Sequence, residues 1–422
     1  MAREWLRRLS GDHCPVAMPW FDLGPAGDPA GELRRRALRC EWELAEGAGE
    51  RALLLLRAAA WPLAASRQAV RLLRRHGHAA AREAGVGRLA QLLQMLRVAI
   101  VHNLAPEIYY RFELFRPERR REAALYAANA ERIVVGRYLI SRLDNAALDH
   151  KARFHAACTR LGLPVAPVIA KVEAGRIAWT SGAELPRRDL MLKPCGGSSG
   201  IGIERWLLGQ DGASWCRGAE RLDERGLLDR AAGLSREDAH LICPRLTNDP
   251  EIAPFTLGGL ATFRVVTARR AGGDPVPLMM ALRMPTGHAA VDNFHSGGIA
   301  AAVELTTGVM GPALGMDFTR GPFRAHPDTG ALVEGHVVRR WREVCELAVT
   351  AHREFADFST IGWDVALTTA GPILMEANTF WCWELVQRVG GRPLGRTELP
   401  AHLLRDLAAA RQRSPRAVRA TG

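Results

Sequence analysis

The chain has 422 residues, of which 48% are apolar and 24% are charged. This length allows two or three domains with a sizeable core, and the apolar share argues against general disorder. The longest stretches without a charged residue have 12 residues, at 252–263 and 305–316, well short of the ~18–20 that cross a bilayer. The amino terminus lacks an apolar segment, so we expect neither a signal peptide nor a transmembrane protein.

The net charge of +12 is concentrated at the two ends of the chain. Residues 1–150 have a net charge of +7 and residues 401–422 of +4, whereas residues 151–400 have +1. The basic residues are 54 arginines and three lysines, which indicates a general preference for arginine and no nucleic-acid partner. A solvated arginine-rich helical face is one interpretation, and contact of the basic ends with an anionic membrane is the other.

The eight cysteines show no CxxC pair and no histidines at metal-binding spacing. This pattern argues against a zinc site and a disulfide framework, and it favours reduced thiols. We therefore expect a cytoplasmic protein, peripheral to the inner face of the membrane if its basic ends bind lipid.

In chain order, the predicted elements change from helices to strands. Residues 30–145 have apolar residues at helical spacing, and Pro62 is expected to break or kink the first long helix. Farther on, two predicted helices, one with Asp149 as its N-cap and one at 335–356, interrupt a series of strands. These strands are predicted within 164–173, 189–194, 201–206, 240–246, 261–270, 275–284, 298–305, 362–369 and 372–378. The sequence thus predicts an all-helical front and an α+β body.

The strongest functional signal is an apolar strand pair near the end of this body. Asp364, Glu376 and Asn378 are the polar groups inside its strands. With a loop at 369–371, Asp364 faces Glu376 at a Cβ separation of ~4.5–5.5 Å, and Asn378 projects from the same face. Facing carboxylates repel each other unless a cation lies between them, and hard oxygen ligands suit Mg²⁺. Two solvent-facing acids on an edge hairpin are the alternative.

A second signal is a loop of small residues: Gly196, Gly197, Ser198, Ser199 and Gly200. Backbone N–H groups and hydroxyls of such a loop can surround phosphate oxygens, and Lys193 before it supplies a point charge. With three lysines in the chain, Lys193 at this loop and Lys151 at a helix start both indicate a phosphate site. A Gly/Ser hairpin loop without function is the alternative. Ser198 as a hydrolase nucleophile would require a following helix, whereas a strand is predicted.

Two arginines lie inside apolar predicted strands, where an unpaired cation is costly. Arg264 and Arg283 are candidates for binding a transferred phosphoryl group and a carboxylate, and structural ion pairs are the alternative. A polar turn supplies Asn293 and His295 as substrate candidates, although a lone histidine is more often structural. Cys243, in another strand, is also expected to be a buried, inert thiol.

In their order along the chain, these motifs resemble the ATP-grasp superfamily, especially its sugar-transfer associated branch, which is related to alpha-L-glutamate ligases. The segments TFRVVT, VDNFHSGGI and GWDVALTTAGPILMEAN look most like that branch. The polar motifs behind the resemblance are Lys151, Lys193-Pro194 with its glycine-rich loop, Arg264, and Asp364…Glu376-x-Asn378 with spacings of 12 and 2.

The resemblance implies an ATP-grasp fold of two α+β subdomains that grip ATP, preceded by an all-helical region. The corresponding ranges are a helical region at 1–145, an ATP-grasp domain at 146–395 with subdomains at 146–243 and 244–395, and a basic C-terminal helix and tail at 396–422.

The resemblance also implies roles for these residues. Lys151 and Lys193 would contact the phosphates, the loop at 196–202 would form a lid, and the adenine would lie against the strand that holds Cys243. Asp364, Glu376 and Asn378 would hold Mg²⁺, with Mn²⁺ as an alternative, and Arg264 would steady the transferred group. Where the superfamily often has a ribose-binding acid, this chain has Cys243-Pro244-Arg245, and Glu251 is a distant substitute.

Similar enzymes convert a carboxylate to an acylphosphate, which an amine or another nucleophile then captures. We therefore expect an ATP- and Mg²⁺-dependent ligase for a small-molecule carboxylate and an amine, such as an amino acid or a cell-surface glycan precursor. A small-molecule kinase on the same fold and a catalytically inactive nucleotide-binding scaffold are the alternatives.

Overall fold

The computed structural model describes residues 28–413, except 181, 197–201, 271–272, 288, 290–291, 293, 295–296 and 356. Several predicted site residues lie outside the described residues: Gly197, Ser198, Ser199, Gly200, Asn293 and His295.

The front of the described chain is helical, as predicted. Its α-helices are α1 (Pro29–Leu44), α2 (Ala48–Ala84), α3 (Arg88–Val101), α4 (Glu107–Arg111), α5 (Pro117–Arg121) and α6 (Asn129–Ile140). Of the two expectations for Pro62, the break is wrong, because α2 continues through this residue and has 37 residues in all. The kink stays a prediction. The neighbouring Trp61 is buried and its indole N–H donates to the Ala99 carbonyl at 3.2 Å. Packing on both sides of the proline thus outweighs the one hydrogen bond that proline lacks.

Helices α2 and α3 pack on an aromatic core that is separate from the main one. Ala69 and Ala80 of α2 and Met95 and Val98 of α3 belong to it. The rest of this core comes from Phe318 and from the segment that follows α3, including Tyr109, Tyr110, Phe112, Phe115 and Tyr126. Both helices therefore turn one face toward the same core.

The described strands form two antiparallel sheets. The first has seven strands in the order β2-β1-β7-β3-β4-β5-β6. These are β1 (Ala170–Glu173), β2 (Arg176–Trp179), β3 (Leu190–Pro194), β4 (Glu204–Leu208), β5 (Ser214–Arg217), β6 (Glu220–Asp223) and β7 (His240–Pro244). Strands β2, β5 and β6 were not expected from the sequence, because each has four residues and is partly exposed, and β6 has three charged residues among its four.

The second sheet has five strands in the described residues, in the order β10-β9-β8-β11-β12. They are β8 (Thr262–Arg269), β9 (Pro275–Met284), β10 (Ile299–Val303), β11 (Thr360–Thr368) and β12 (Gly371–Asn378). The central strands β8 and β11 are buried along nearly their whole length. This explains their continuous apolar runs, in which the few charged groups are conspicuous.

Helices and short 3₁₀ turns surround the sheets. The α-helices are α7 (Ala146–Asp149), α8 (Lys151–Arg160), α9 (Glu224–Leu234), α10 (Trp341–Glu354), α11 (Trp383–Val389) and α12 (Leu399–Arg411). The 3₁₀ turns are Ala123–Leu125, Ala253–Phe255 and Leu394–Arg396. The α+β class with a helical front is therefore confirmed, while the domain boundaries at 145, 243 and 395 stay predictions.

Two helix starts differ from the predicted ones. The N-cap of α8 is His150, whose ring Nδ1 accepts the Arg153 N–H at 3.4 Å, whereas Asp149 ends α7. Helix α10 begins at Trp341, six residues after the predicted start, because 335–340 form turns and a β-bridge from Val337 to Val309. Within the described residues no single helix is long and apolar enough to span a bilayer. The one pair there that reaches this length and composition is α2 with α3, and a 110° bend separates the two helices.

A buried imidazole links α10 to the second sheet. His352 Nε2 lies 2.9 Å from the Phe358 carbonyl, which can only accept, so Nδ1 accepts from the Thr267 hydroxyl at 2.7 Å. The indole N–H of Trp363 donates to the same hydroxyl at 2.8 Å. Burial lowers the pKa of His352 from 6.5 to about 4, and the nearby Arg269 and His402 act in the same direction. The folded protein therefore keeps this imidazole neutral.

We expect the stability of the protein to fall as the pH decreases from about 6.5 to about 4, because only the unfolded chain binds a proton at His352 in this range. The difference amounts to ~3 kcal/mol at 1.36 kcal/mol per pH unit. His352→Gln should remove this part of the pH dependence in urea unfolding, whereas Thr267→Val should lower stability but keep the slope. An imidazole pKa near 6.5 in the folded protein, measured by NMR, would contradict the assignment.

Candidate active site

A cavity of about 360 Å³ is lined by residues of both sheets. It also touches α8 and the segment that follows β12. The predicted site residues that line it are Lys151, Lys193, Gly196, Cys243, Arg264, Arg283, Asp364, Glu376 and Asn378. Residues from five separate parts of the sequence thus meet in one place.

The structure pairs Asp364 of β11 directly with Glu376 of β12. The route to this register differs from the predicted one. The turn has two residues, since Thr368 pairs with Gly371, and a β-bulge between Asp364 and Val365 of β11 shifts the register by one residue. The expected loop at 369–371 is therefore wrong, and the bulge restores the pairing that this loop would have produced.

Two buried arginines hold the Asp364 carboxylate. Arg264 Nε donates to Oδ1 at 2.6 Å from the neighbouring strand β8, and Arg283 Nη2 donates to Oδ2 at 2.7 Å from β9. Burial alone would raise the pKa of Asp364, but the two guanidinium groups hold this pKa below its usual range. Asp364 is therefore ionised, and its position is determined by three adjacent strands.

Glu376 has the opposite electrostatic environment. Burial and the negative charge of Asp364 raise its pKa, and the positive charge of Lys151 offsets this only partly. Within the described residues no salt bridge joins Glu376 to a cation. A cation placed between the two carboxylates would favour the ionised form of Glu376.

Arg283 also belongs to a buried polar cluster at the edge of the cavity. Its Nε lies 3.4 Å from Asp292 Oδ2, and its Nη2 donates to the Thr262 hydroxyl at 2.6 Å. The Thr262 hydroxyl in turn donates to Asp292. Arg264 and Arg283 thus form structural ion pairs and also line the cavity, so both interpretations of these arginines apply.

The residues around this acid pair fit a divalent cation such as Mg²⁺. Hard carboxylate and amide oxygens are the ligands that Mg²⁺ prefers. Asn378 lies two residues after Glu376, and its Nδ2 is buried without a hydrogen-bond partner in the described residues. Trp381 Nε1, on the same cavity wall, is likewise buried and unpartnered there. Both groups are N–H donors, so a water or an acceptor group of a ligand in the cavity would satisfy them.

The phosphate side of the cavity is formed by β3, α8 and the start of the glycine-rich loop. Lys193 is near the end of β3, and Lys151 is the first residue of α8. The Lys151 backbone N–H donates to the Cys195 carbonyl at 3.3 Å, which ties the two segments together. The Gly196 N–H donates to the Asp238 carboxylate at 3.0 Å. A phosphate contact from this N–H would therefore have to replace the bond to Asp238.

An apolar patch between β3 and β7 lines the opposite part of the cavity. Val168, Met191, Leu241 and Cys243 form it. Burial raises the pKa of the Cys243 thiol, as expected for an inert side chain. A patch of this kind suits the face of a nucleobase.

The suggested ribose contact from Glu251 has no support in the structure. Glu251 accepts the backbone N–H of Arg339 at 2.9 Å and is not among the residues that line the cavity. Arg245, in the position where the superfamily often has an acid, does line the cavity and pairs with Asp189 at 2.9 Å.

Other cavity residues were missed from the sequence. Arg132 of α6 lines the cavity and donates to the Phe380 carbonyl at 2.7 Å. Trp381 was missed too, although Gly362 marks it. A Cβ at Gly362 would lie 2.3 Å from the Trp381 Cβ, and an isolated glycine within an apolar strand often marks such a close approach.

A second cavity, of about 510 Å³, lies where the helical front meets the second sheet. Four arginines line it: Arg71, Arg75, Arg111 and Arg320. The acids on its wall are Glu107 and Asp317, so the charged side chains have a net positive charge. Phe294 lines both cavities, which places the second cavity next to the first.

We expect Asp364→Asn to lower the free energy of unfolding by ~3–5 kcal/mol, because Arg264 and Arg283 lose a buried counter-charge. The matched variant is Glu376→Gln, which removes the repulsion between two carboxylates without exposing a paired cation. It should leave stability unchanged or raise it. Urea unfolding with a chelator present measures both variants, and similar losses in the two would contradict this electrostatic asymmetry.

The sequence was compared with protein-family models and with curated proteins. The model of the sugar-transfer associated ATP-grasp family matches residues 137–398, which is more than half of the chain. No curated protein matches.

Similar solved structures include the ADP complex of purK, N5-carboxyaminoimidazole ribonucleotide synthetase, at 14% identity and a TM-score of 0.32, over 56% of this chain and 45% of that one. An L-amino acid ligase from Bacillus licheniformis is 12% identical, with a TM-score of 0.35, over 65% and 60%. D-alanine–D-alanine ligase from Bacillus anthracis is 12% identical, with a TM-score of 0.33, over 63% and 69%. The chain thus spans about half of the first structure, and at these scores the likenesses carry no argument about activity. On the family match, the chain belongs to the sugar-transfer associated ATP-grasp family.

Proposed function

We propose that the protein is an ATP- and Mg²⁺-dependent ligase that joins a carboxylate to an amine through an acylphosphate. The observation that carries this proposal is the facing pair Asp364 and Glu376, which lies in one cavity with Asn378 and the two lysines. Lysine is otherwise almost absent from the chain, with three in 422 residues. Two of these three lysines line the cavity, which supports a polyphosphate as its occupant.

Asp364, Glu376 and Asn378 are the residues that would hold Mg²⁺, which when bound neutralises charge on the phosphates of ATP. Lys151 and Lys193, which also line the cavity, add positive charge. The apolar patch between β3 and β7 accepts the nucleobase. In this arrangement the protein positions its substrates and balances charge, which is most of what phosphoryl transfer requires of an enzyme.

The proposed reaction has two steps. In the first, a carboxylate oxygen of the substrate attacks the γ-phosphorus of ATP, and the bond to the β–γ bridging oxygen breaks, which releases ADP. In the second, the amine nitrogen attacks the acyl carbon, phosphate leaves with the electron pair of the C–O bond, and the nitrogen loses a proton. Arg264 and Arg283 line the space where the transferred group would lie. Their ion pairs with Asp364 and Asp292 hold these two arginines in place.

The second cavity is the proposed site for the remainder of the substrate. Arg75 and Arg320 line it and form no salt bridge within the described residues. Two such guanidinium groups favour an anionic substrate that carries a phosphate or a second carboxylate. The family description associates these proteins with sugar transfer, and this favours a cell-surface glycan precursor as substrate. An amino acid is the alternative substrate, and the proposed location is the cytoplasm.

We expect Glu376→Ala to reduce Mg²⁺-dependent ATP turnover by at least ~100-fold, because one of the facing carboxylates is lost. Turnover is measured with a panel of carboxylic acids and amines. Glu346→Ala, at an exposed position of α10, is the matched control and should retain turnover. Unchanged activity in Glu376→Ala would count against the site.

The products distinguish the proposal from its alternatives. ADP, phosphate and an amide indicate the ligase. ADP with a stable phosphoester would indicate a kinase on the same fold, and ATP binding without turnover across the panel would indicate a scaffold.

For the substrate that turns over, we expect Arg320→Met to raise KM by ~10–100-fold with little change in kcat, because a charge-assisted hydrogen bond away from the reacting atoms is lost. Arg324→Met, at an arginine nearby in sequence that is 84% exposed and outside both cavities, is the control. An equal KM in the two variants would contradict the proposal that the substrate occupies the second cavity.

A further inference from the structure

The exposed apolar side chains of this protein are concentrated on its helical front. Of the thirteen large apolar residues that are exposed in the described part of the chain, eight lie between residues 42 and 100. Scattered exposed leucines are ordinary on protein surfaces, whereas a cluster indicates an interaction site.

These residues form a stripe along α2. Leu56, Leu63 and Val70 are spaced by seven residues, and Leu55 lies beside the first of them. A spacing of seven returns to nearly the same side of a helix. Leu63 is 66% exposed, whereas Trp61 and Ala65 beside it are buried. The stripe is therefore the side of α2 that points away from its buried residues, which include Ala69 in the aromatic core.

Helix α3 repeats this arrangement. Leu89 and Leu93 are 70% and 60% exposed, and Ile100, the next-to-last residue of the helix, is also exposed. Met95 and Val98, on its other side, pack into the same aromatic core as α2. The exposed sides of both helices thus point away from one common core. Together with the basic residues between them, we call these sides the outer face, formed by Leu55, Leu56, Leu63, Arg67, Val70 and Arg74 of α2 and Arg88, Leu89, Leu93, Arg97 and Ile100 of α3.

The outer face is strongly basic. Residues 48–101 contain nine arginines and two glutamates, a net charge of +7. Arg67 and Arg74 each lie four residues after an apolar member of the stripe, so they follow it on the same side of α2. The stripe is apolar in its first half and basic in its second.

We propose that the outer face binds the surface of a bilayer that contains anionic phospholipids. Arginines that alternate with leucines on an exposed helix are typical of helices that lie in a membrane interface, where the leucines enter the acyl boundary and the arginines contact phosphate groups. Helix α2, with 37 residues, would extend ~55 Å along such a surface. A second copy of this chain is a poorer partner, because two such faces, each with the basic residues Arg67, Arg74, Arg88 and Arg97, repel each other.

This inference does not depend on the proposed ligase activity, and it gives the basic front of the chain a defined partner. It would place the second cavity, which α2 also lines through Arg71 and Arg75, close to the lipid surface. A substrate attached to a lipid could then reach the cavity without leaving the membrane.

The test is co-sedimentation of the full chain with vesicles of phosphatidylcholine, with and without phosphatidylglycerol. We expect binding to the anionic vesicles only, and we expect it to weaken as NaCl is raised. Binding that is equal for both vesicle types, or absent from both, would overturn the proposal.

Two sets of variants separate the apolar and basic contributions. The triple variant Leu55→Gln, Leu56→Gln and Leu63→Gln should weaken binding at least ~10-fold. The double variant Arg67→Gln and Arg74→Gln should weaken it ~25-fold, from ~1 kcal/mol for each arginine at an anionic surface. Leu332→Gln, at a leucine that is 64% exposed elsewhere, is the control and should bind as the wild type does. Equal binding by all variants would overturn the proposal.

Two other occupants of the outer face give different results. If a second copy covered it, light scattering would show a dimer that the leucine variants convert to a monomer. If residues 1–27 covered it, the leucine variants would lose thermal stability without any vesicle binding by the wild type. Either result would overturn the proposal. ATP turnover, measured in parallel, should be the same in all these variants.

Discussion

The candidate site depends on the ion pairs between one buried carboxylate and two buried arginines. Asp364, Arg264 and Arg283 come from three adjacent strands of the second sheet, and none of them could be buried alone at acceptable cost. The two ion pairs hold the Asp364 carboxylate in one position relative to the sheet. Glu376 then faces a carboxylate that cannot move away, and within the described residues no salt bridge balances its charge. Either a proton on Glu376 or an added cation relieves the repulsion between the two carboxylates.

The opposition of Asp364 and Glu376 was predictable from the sequence, but the reason for it was not. Counting outward from an assumed loop at 369–371 gives the observed pair, although the turn is one residue shorter. The β-bulge compensates, and no property of the side chains near it distinguishes a bulge from a longer loop. The arginine partners were also out of reach, because Arg264 and Asp364 are a hundred residues apart in the chain. Periodicity shows that a charge is buried, but it does not show which other charge pairs with it.

The fold was predictable where patterns are strong and long. The helical front and the apolar strands β8, β9, β11 and β12 have such patterns, and the structure has these elements. The four-residue strands β2, β5 and β6 were missed, because their pairing depends on neighbours and not on their own composition. Pro62 shows the converse, since a local signal for a break is overridden by packing on both sides. Trp381 and Arg132 were missed because their position depends on how the front meets the sheet.

Contacts of α11 join the helical front to the site. Gln387 exchanges two hydrogen bonds of 2.9 Å with the backbone of Ala127. Arg388 is buried and paired with Glu113, and Glu384 is paired with Arg111, which itself lines the second cavity. Helix α11 begins five residues after Asn378. A displacement of the helical front would therefore also shift Asn378 and the neighbouring acid pair. The front therefore belongs to the same structural unit as the cavity.

The scarcity of lysine has a practical consequence. Lys171 is ion-paired with Glu173 at 2.8 Å on β1, and the other two lysines line the cavity. An acylating reagent with a nucleotide-like leaving group would therefore meet almost no competing ε-amino group elsewhere on this protein. Covalent labelling followed by mass spectrometry would therefore report the occupancy of the cavity with little signal from lysines elsewhere. This selectivity arises from the composition of the chain alone.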